Sequence, residues 1–427
     1  MNPRKKIQNA WGMYDWANST YNLVISSAIF PIFYGAVTSV RNANGDIIDD
    51  KVHFFGWTLK NTEALSYALA FSLAVVSVLV PLLSGIADYY HMRKRFLQIF
   101  CYIGAASCAS LYFFDPAHLE LSFVSIMMAC IGFWCSYAFA NSFLPQIADK
   151  DEQDKVSAKA YSLGYIGSVS LLIMNLIAIK GFDMSARWSF VSVGIWWAGF
   201  AQITFYHLKE EVIHQHDASA SWKKGFNELR KVWEQMKEIK SLKRYLVAFF
   251  VFSMGIQTIM QMAAFFGEKE INLDSSQLIL AIVLVQLIAI PGAMLFSWGS
   301  KKLGNIPMLM MALLVWVGVC LYAYYGVTEV VTFYIAAGVI GFIMGGTQSL
   351  ARSTYSKFLP KTDDTASYFS FYDVTEKLGL IIGLFSFGFL EGTFGTMRAS
   401  ILALVVFFIL GFFLLFLVPK EEKRIDH

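Results

Sequence analysis

Twelve stretches of about 20 mostly apolar residues constrain this chain more than any other feature, because a run of that length crosses the hydrocarbon of a bilayer as a helix. They cover roughly 11–40, 62–86, 96–114, 121–143, 156–179, 188–208, 245–267, 275–299, 306–326, 330–350, 367–390 and 399–418. Backbone in hydrocarbon must satisfy its own hydrogen bonds, so each run is expected to be helical. The expected fold class is all-α and integral to the membrane, with twelve transmembrane helices. The first run is longer than a signal-peptide core and no small-x-small cleavage site follows it, so it reads as a span.

Composition agrees. Of 427 residues, 56% are hydrophobic and 15% charged, against about 45–50% apolar in a soluble domain. A net charge of +3 is too small to suggest a nucleic-acid partner. Cys101, Cys108, Cys130, Cys135 and Cys320 all fall inside apolar runs, with no metal-ligand or disulfide spacing. With the N-terminus inside, the segments on that side carry 26 Lys and Arg and those on the other side carry 7. That asymmetry predicts a multi-pass protein with both termini cytoplasmic, and the basic, disulfide-free inner face suggests a bacterial cell (inner) membrane.

The one long cytoplasmic segment separates a six-helix bundle (1–208) from a second one (244–427), with a linker at 209–243. Its second part, WKKGFNELRKVWEQMKEIKSLKR, sets Trp222, Phe226, Leu229, Trp233, Met236 and Ile239 at helical spacing among basic residues. It reads as an amphipathic helix on the inner leaflet, serving as a tether or a regulatory site. The halves repeat. FLPQIADKDEQDKVSAKAYSLGYIG starts at Phe143 and FLPKTDDTASYFSFYDVTEKLGLIIG at Phe358; at an offset of 215 the FLP, Asp149/Asp364 and Leu163-Gly164/Leu378-Gly379 align.

Two parallel six-span repeats around a central cavity are the plan of major facilitator transporters. SGIADYYHMRKR (84–95) resembles that superfamily's G-x-x-x-D-R-x-G-R-[KR] loop, with Tyr89 for the usual Arg, His91 for Gly and a shifted basic run. The resemblance implies a latch on the cytoplasmic side formed by Asp88 with Arg93 and Arg95. The second half has Ser300 where the Asp would be, so any latch is expected to be asymmetric.

Ionisable and amide groups at membrane depth are costly and face a cavity or one another. Asp15, Asn18 and Asn22 stand three and four apart on one face of the first span. Gln257 and Gln261 lie deep in the seventh. The superfamily plan puts the first, fourth, seventh and tenth spans around the cavity, so these residues, with Glu376, are the candidate solute contacts. Asn141, Gln348, Arg352, Asp373 and Lys377, with the loop residues Asp88, Arg93 and Arg95, are candidate gating residues. Asp373 and Lys377 can neutralise each other at i,i+4. That leaves Glu376 without an obvious local partner, and a candidate for proton coupling. Gly164, Gly167, Gly338, Gly341, Gly345 and Gly346 suit close helix packing.

YDWANSTYN (14–22) followed by IFPIFY (29–34), LPQIADKDEQDKVSAKAYSLGYIG (144–167) and GGTQSLARSTYSKFLP (345–360) resemble one branch of the superfamily, the "unknown major facilitator" family. Its fungal relatives are vacuolar amino-acid effluxers linked to autophagy. Gln146 departs from the Glu common after LP in that family. The resemblance implies amino-acid efflux by alternating access. Export of a drug, nucleoside, sugar or lipid, and a non-transporting sensor with the same fold, stay open. No P-loop, G-x-S-x-G or H-E-x-x-H occurs, so no enzyme, cofactor or metal is expected. His214 and His216 read as linker residues. The expected partners are a small solute and the bilayer, and the expected state is a monomer.

Overall fold

The first apolar run changes its hydrogen-bond ladder partway across. Helix α1 (Pro3–Thr20) passes into a π-helical segment, Tyr21–Ala28, and then into α2 (Ile29–Thr38). The change lies just ahead of Pro31, which has no N–H to give to the preceding turn, so a regular α-helical ladder cannot run through Ser27. In this computed structural model, residues 3–41, 47–210 and 222–419 are described.

The chain continues through α3 (Asn61–Tyr89), α4 (Arg93–Ser110), α5 (Leu119–Asn141), the short α6 (Leu144–Ile147), α7 (Lys150–Phe182) and α8 (Arg187–His207). After the linker come α9 (Trp222–Glu238), α10 (Lys240–Ile271), α11 (Ser275–Leu303), α12 (Asn305–Tyr325), α13 (Val330–Phe358), α14 (Thr365–Phe394) and α15 (Met397–Phe416). Among the described residues, eleven helical runs are long and apolar enough to cross a membrane. The sixth expected span, 188–208, is α8. Its Ser, Thr and Gln lower its hydropathy, yet its 21 residues still reach about 30 Å. It belongs to the bundle of spans: Thr204 Oγ1 donates to Ala10 O at 2.6 Å and Trp196 Nε1 to Trp16 O at 3.2 Å. The internal repeat is structural as well, since α7 begins at Lys150 and α14 at Thr365, the same offset of 215.

The described residues fall into two compact units, one from Met1–Ala140 and Leu163–Ala220, the other from Asn141–Ser162 and Ser221–His427. The boundary differs from the expected bundles at 1–208 and 244–427. Residues 141–162 leave the first bundle to pack with the second unit, and so does α9 from the linker.

Within each unit, glycines let helices meet backbone to side chain. A Cβ on Gly164 of α7 would sit 2.5 Å from Ser19 Oγ of α1, and one on Gly167 2.5 Å from Trp16 O. In the second unit a Cβ on Gly379 of α14 would sit 2.5 Å from Ser253 Oγ of α10. Gly341 and Gly345 of α13 lie against the carbonyls of Val285 and Ala289 in α11. The five cysteines are buried, and none forms a disulfide among the described residues. Between α2 and α3 the chain forms two small antiparallel pairs: β1 (Val40–Arg41) with β2 (Ile47–Asp49), and β3 (Lys51–Phe54) with β4 (Trp57–Lys60). The second pair turns at Phe55-Gly56, both with positive φ. The turn signal Asn44-Gly45 and the pair His214 and His216 lie outside the described residues.

Candidate functional site

The first unit contributes a polar wall on α1. Gly164 has no side chain to hold α7 away, so its backbone approaches Asp15 O and Ser19. Asp15 and Asn18 are buried, 4% and 0% exposed. Neither Nδ2 nor Oδ1 of Asn18 meets a hydrogen-bond partner among the described residues. An orphan amide of this kind costs about 1–3 kcal/mol, so its retention points to a function. Asn22 departs from the expectation. The π-helical turn rotates it away from its neighbours, and it is exposed beside Ser26 and Ser27, with Ser27 Oγ donating to Asn22 O at 2.9 Å. Tyr21 before it and Leu23, Val24 and Ile25 after it are buried. An amide and two hydroxyls on the exposed face of a span are costly against lipid, and π-helical turns recur at functional sites.

The second unit contributes α10 and α14. Their close approach at Gly379 brings Gln257 Nε2 to Glu376 Oε1, to which it donates at 2.7 Å. This corrects the expectation that Glu376 lacks a nearby partner. The partner sits on another helix and is invisible to i,i+4 reasoning. Glu376 remains half-buried, while one helical face away Asp373 and Lys377 are buried together with Lys377 Nζ 2.6 Å from Asp373 Oδ2. Gln261, one turn beyond Gln257, is exposed and joins neither pair.

Arg352 of α13 is fully buried and holds the transferred segment 141–162. Its Nε donates to Ser157 Oγ at 3.0 Å, Nη1 to Asn141 Oδ1 at 3.0 Å and Nη2 to Ser157 O at 3.1 Å. Its guanidinium carbon stands 4.2 Å from the centre of the Tyr161 ring. Gln348, one turn earlier on α13, is half-buried. A second knot was not foreseen. Asp154, in the second turn of α7 and 3% exposed, accepts from Ser300 Oγ at 2.7 Å, Asn305 Nδ2 at 2.9 Å and Lys357 Nζ at 2.6 Å. Ser300, which replaces a carboxylate in the second-half loop, thus receives one from segment 141–162.

In the first unit, Arg93 Nε lies 3.8 Å from both Asp88 Oδ1 and Glu210 Oε1. Glu210 Oε2 also accepts from the Lys94 N–H at 3.0 Å, at the start of α4, where a carboxylate complements the helix dipole. Burial raises the Glu210 carboxyl above its ordinary range, opposed by the Lys94 N–H and by Arg93. Arg95, expected beside them, is exposed. Asp154 and Glu210 are the functional candidates that sequence reasoning missed.

Comparison with known proteins places this geometry. The model of a family described as "Vacuole effluxer Atg22 like" matches residues 3–427. An MFS-type transporter of Bacillus subtilis, YxiO, described as uncharacterised, is 27% identical and covers 98% of this chain and 96% of its own length. Autophagy-related protein 22 of Eremothecium gossypii is 22% identical over 94% of this chain and 88% of its own. Among solved structures, the human organic anion transporter MFSD10 superposes with a TM-score of 0.72 at 12% identity, covering 97% of this chain and all of its own. The E. coli fucose:proton symporter FucP superposes with a TM-score of 0.68 at 13% identity, covering 98% and 99%. At such identities the structures establish the fold alone, which is the all-α major facilitator fold. The relatives are transporters, not enzymes.

Proposed function

From the premise that the chain belongs to the Atg22-like vacuole effluxer family of major facilitator transporters, we propose that it moves amino acids out of a compartment by alternating access. The observation that carries this reading is Asn18, a fully buried amide whose donor and acceptor are both unpartnered among the described residues. It stands on a span that also bears the carboxylate Asp15. An amide offers both hydrogen-bond roles, which suits a zwitterion, and Asp15 three residues away suits its ammonium group. Asn22 extends the polar wall of the first unit, and Gln257 and Gln261 supply amides in the second. Glu376, held by Gln257 at 2.7 Å, carries the coupled proton. Asn141 and Arg352 gate the path at segment 141–162, with Gln348 beside them. Asp373 and Lys377 brace α14, and Asp88 with Arg93 steadies the first unit. We place the basic loops in the cytoplasm, with the protein in a bacterial inner membrane, on the 26 to 7 asymmetry of Lys and Arg.

A thermal-shift panel tests the reading. The protein in detergent is heated with amino acids, nucleosides and sugars in turn. A ligand at 100 times its Kd adds about 2.7 kcal/mol, a shift of several degrees. Amino acids are expected to give it and the other classes are not. Asn18→Ala separates function from packing. Removing an orphan amide raises the melting temperature of the unliganded protein, by about 1 kcal/mol in equivalent stability, yet weakens amino-acid binding by about tenfold. An Asn18→Ala variant that is less stable and binds normally makes Asn18 a structural residue only.

A further inference from the structure

Helix α9 has three differently employed faces. Val232 and Met236 are buried, at 0% and 5% exposure. One flank is bonded to the start of α14: Lys231 Nζ lies 3.3 Å from Asp364 Oδ2, and Tyr368 Oη donates to Gln235 Oε1 at 3.2 Å. The other flank carries Phe226, Arg230, Trp233 and Lys237. Their spacing of four, three and four sets them on one stripe. Phe226 is 56% exposed and Trp233 44%. Trp233 leans on Phe371 of α14, with ring centroids 5.3 Å apart, and Lys237 Nζ stands 5.3 Å over its indole. Glu234 is the acidic neighbour of this flank, 3.5 Å from Lys237 Nζ.

We infer that this stripe docks on the anionic phospholipid surface of the leaflet beside the basic loops, and so anchors the second unit to it. Three observations select that occupant. Only Ile239 separates α9 from α10, a spanning helix, so α9 lies at the mouth of a span. Residues 222–244 carry eight Lys and Arg against three Glu, which complements anionic headgroups. The exposed side chains pair aromatic bodies with basic tips, the combination that sits at the headgroup level. A docked protein would also cover aromatics, but the helix is tethered where lipid is the permanent neighbour.

Hydrogen exchange of the full-length protein tests this in nanodiscs of pure phosphatidylcholine and of phosphatidylcholine mixed with phosphatidylglycerol, whose anionic headgroups attract basic segments. The expected result is amides in 222–238 that exchange about tenfold more slowly in the anionic discs at low salt, with the difference shrinking in high salt. In Arg230→Gln/Lys237→Gln that dependence on composition disappears. In Phe226→Ser/Trp233→Ser protection falls in both kinds of disc. Equal exchange of the wild type in both discs overturns the inference. So does an anionic slowdown that survives in the charge variant, or full protection in lipid-free detergent, which leaves α9 as a tether alone.

Discussion

Replacing Arg352 with Met lowers the stability of the second unit by about 3–5 kcal/mol, the range for removing one member of a buried charged network. Arg352 is fully buried, and its three donating nitrogens serve Ser157 twice and Asn141 once, with Tyr161 stacked on the guanidinium. Met supplies none of these bonds, so the Asn141 amide and the Ser157 carbonyl are left buried without this donor. Arg352→Lys fails as well, because a single ammonium cannot reproduce the planar fork and the stacking. The effect is local before it is global. Segment 141–162 is tied to the second unit through Arg352 and, independently, through Asp154, so its amides exchange faster while those of α15 keep their protection until the whole unit melts. Melting temperature and peptide-resolved hydrogen exchange read both effects. An Arg352→Lys protein with wild-type melting and wild-type protection of 144–160 removes Arg352 from the gate.

The second large effect belongs to Asp373 and Lys377. Both are buried on α14, 3% and 1% exposed, and they meet at 2.6 Å. Asp373→Ala takes away the carboxylate that Lys377 meets at 2.6 Å and Lys377→Met takes away the ammonium that Asp373 meets, each at a cost of about 3–5 kcal/mol. Asp373→Ala with Lys377→Met removes both charges and returns to within about 1 kcal/mol of wild type, because replacing a whole buried pair by apolar groups is close to neutral. The three variants form a double-mutant cycle measured by thermal unfolding. Recovery in the double variant establishes a bracing pair. If the double variant is as unstable as the worse single one, the two residues act with other partners and the pair is not a unit.

The spans and the twofold repeat of six were legible in sequence because each depends on composition over a long window or on a constant offset. Even α8, less apolar than its neighbours, was placed by its length and position. The π-helical segment was not legible. YNLVISSA carries the same spacing of apolar residues as an α-helix, and only the hydrogen-bond ladder ahead of Pro31 turns Asn22 outward. Asp373 with Lys377 was readable as an i,i+4 pair. Glu376 with Gln257 was not, since it depends on how closely Gly379 lets α14 approach α10. Asp154 lies in the acidic run KDEQD, where Asp151 is exposed and Asp154 buried. A run of acids at a helix start reads as a solvated, dipole-complementing turn, and nothing in the letters says which one is swallowed. Ser300 was legible as a missing carboxylate, and the structure supplies what replaces it, a carboxylate from segment 141–162.

Amino-acid counterflow in proteoliposomes, run with and without an imposed pH gradient on wild type and Glu376→Gln, tests the central claim that a solute path lined by amides is coupled to one carboxylate. Wild type is predicted to exchange labelled amino acids and to accumulate or expel them in response to the gradient. Glu376→Gln keeps the hydrogen-bonding shape at Gln257, so it is predicted to exchange but to ignore the gradient. A variant that follows the gradient as wild type does contradicts the assignment of the proton to Glu376, and no exchange of any amino acid by protein shown to be folded contradicts the amino-acid reading itself.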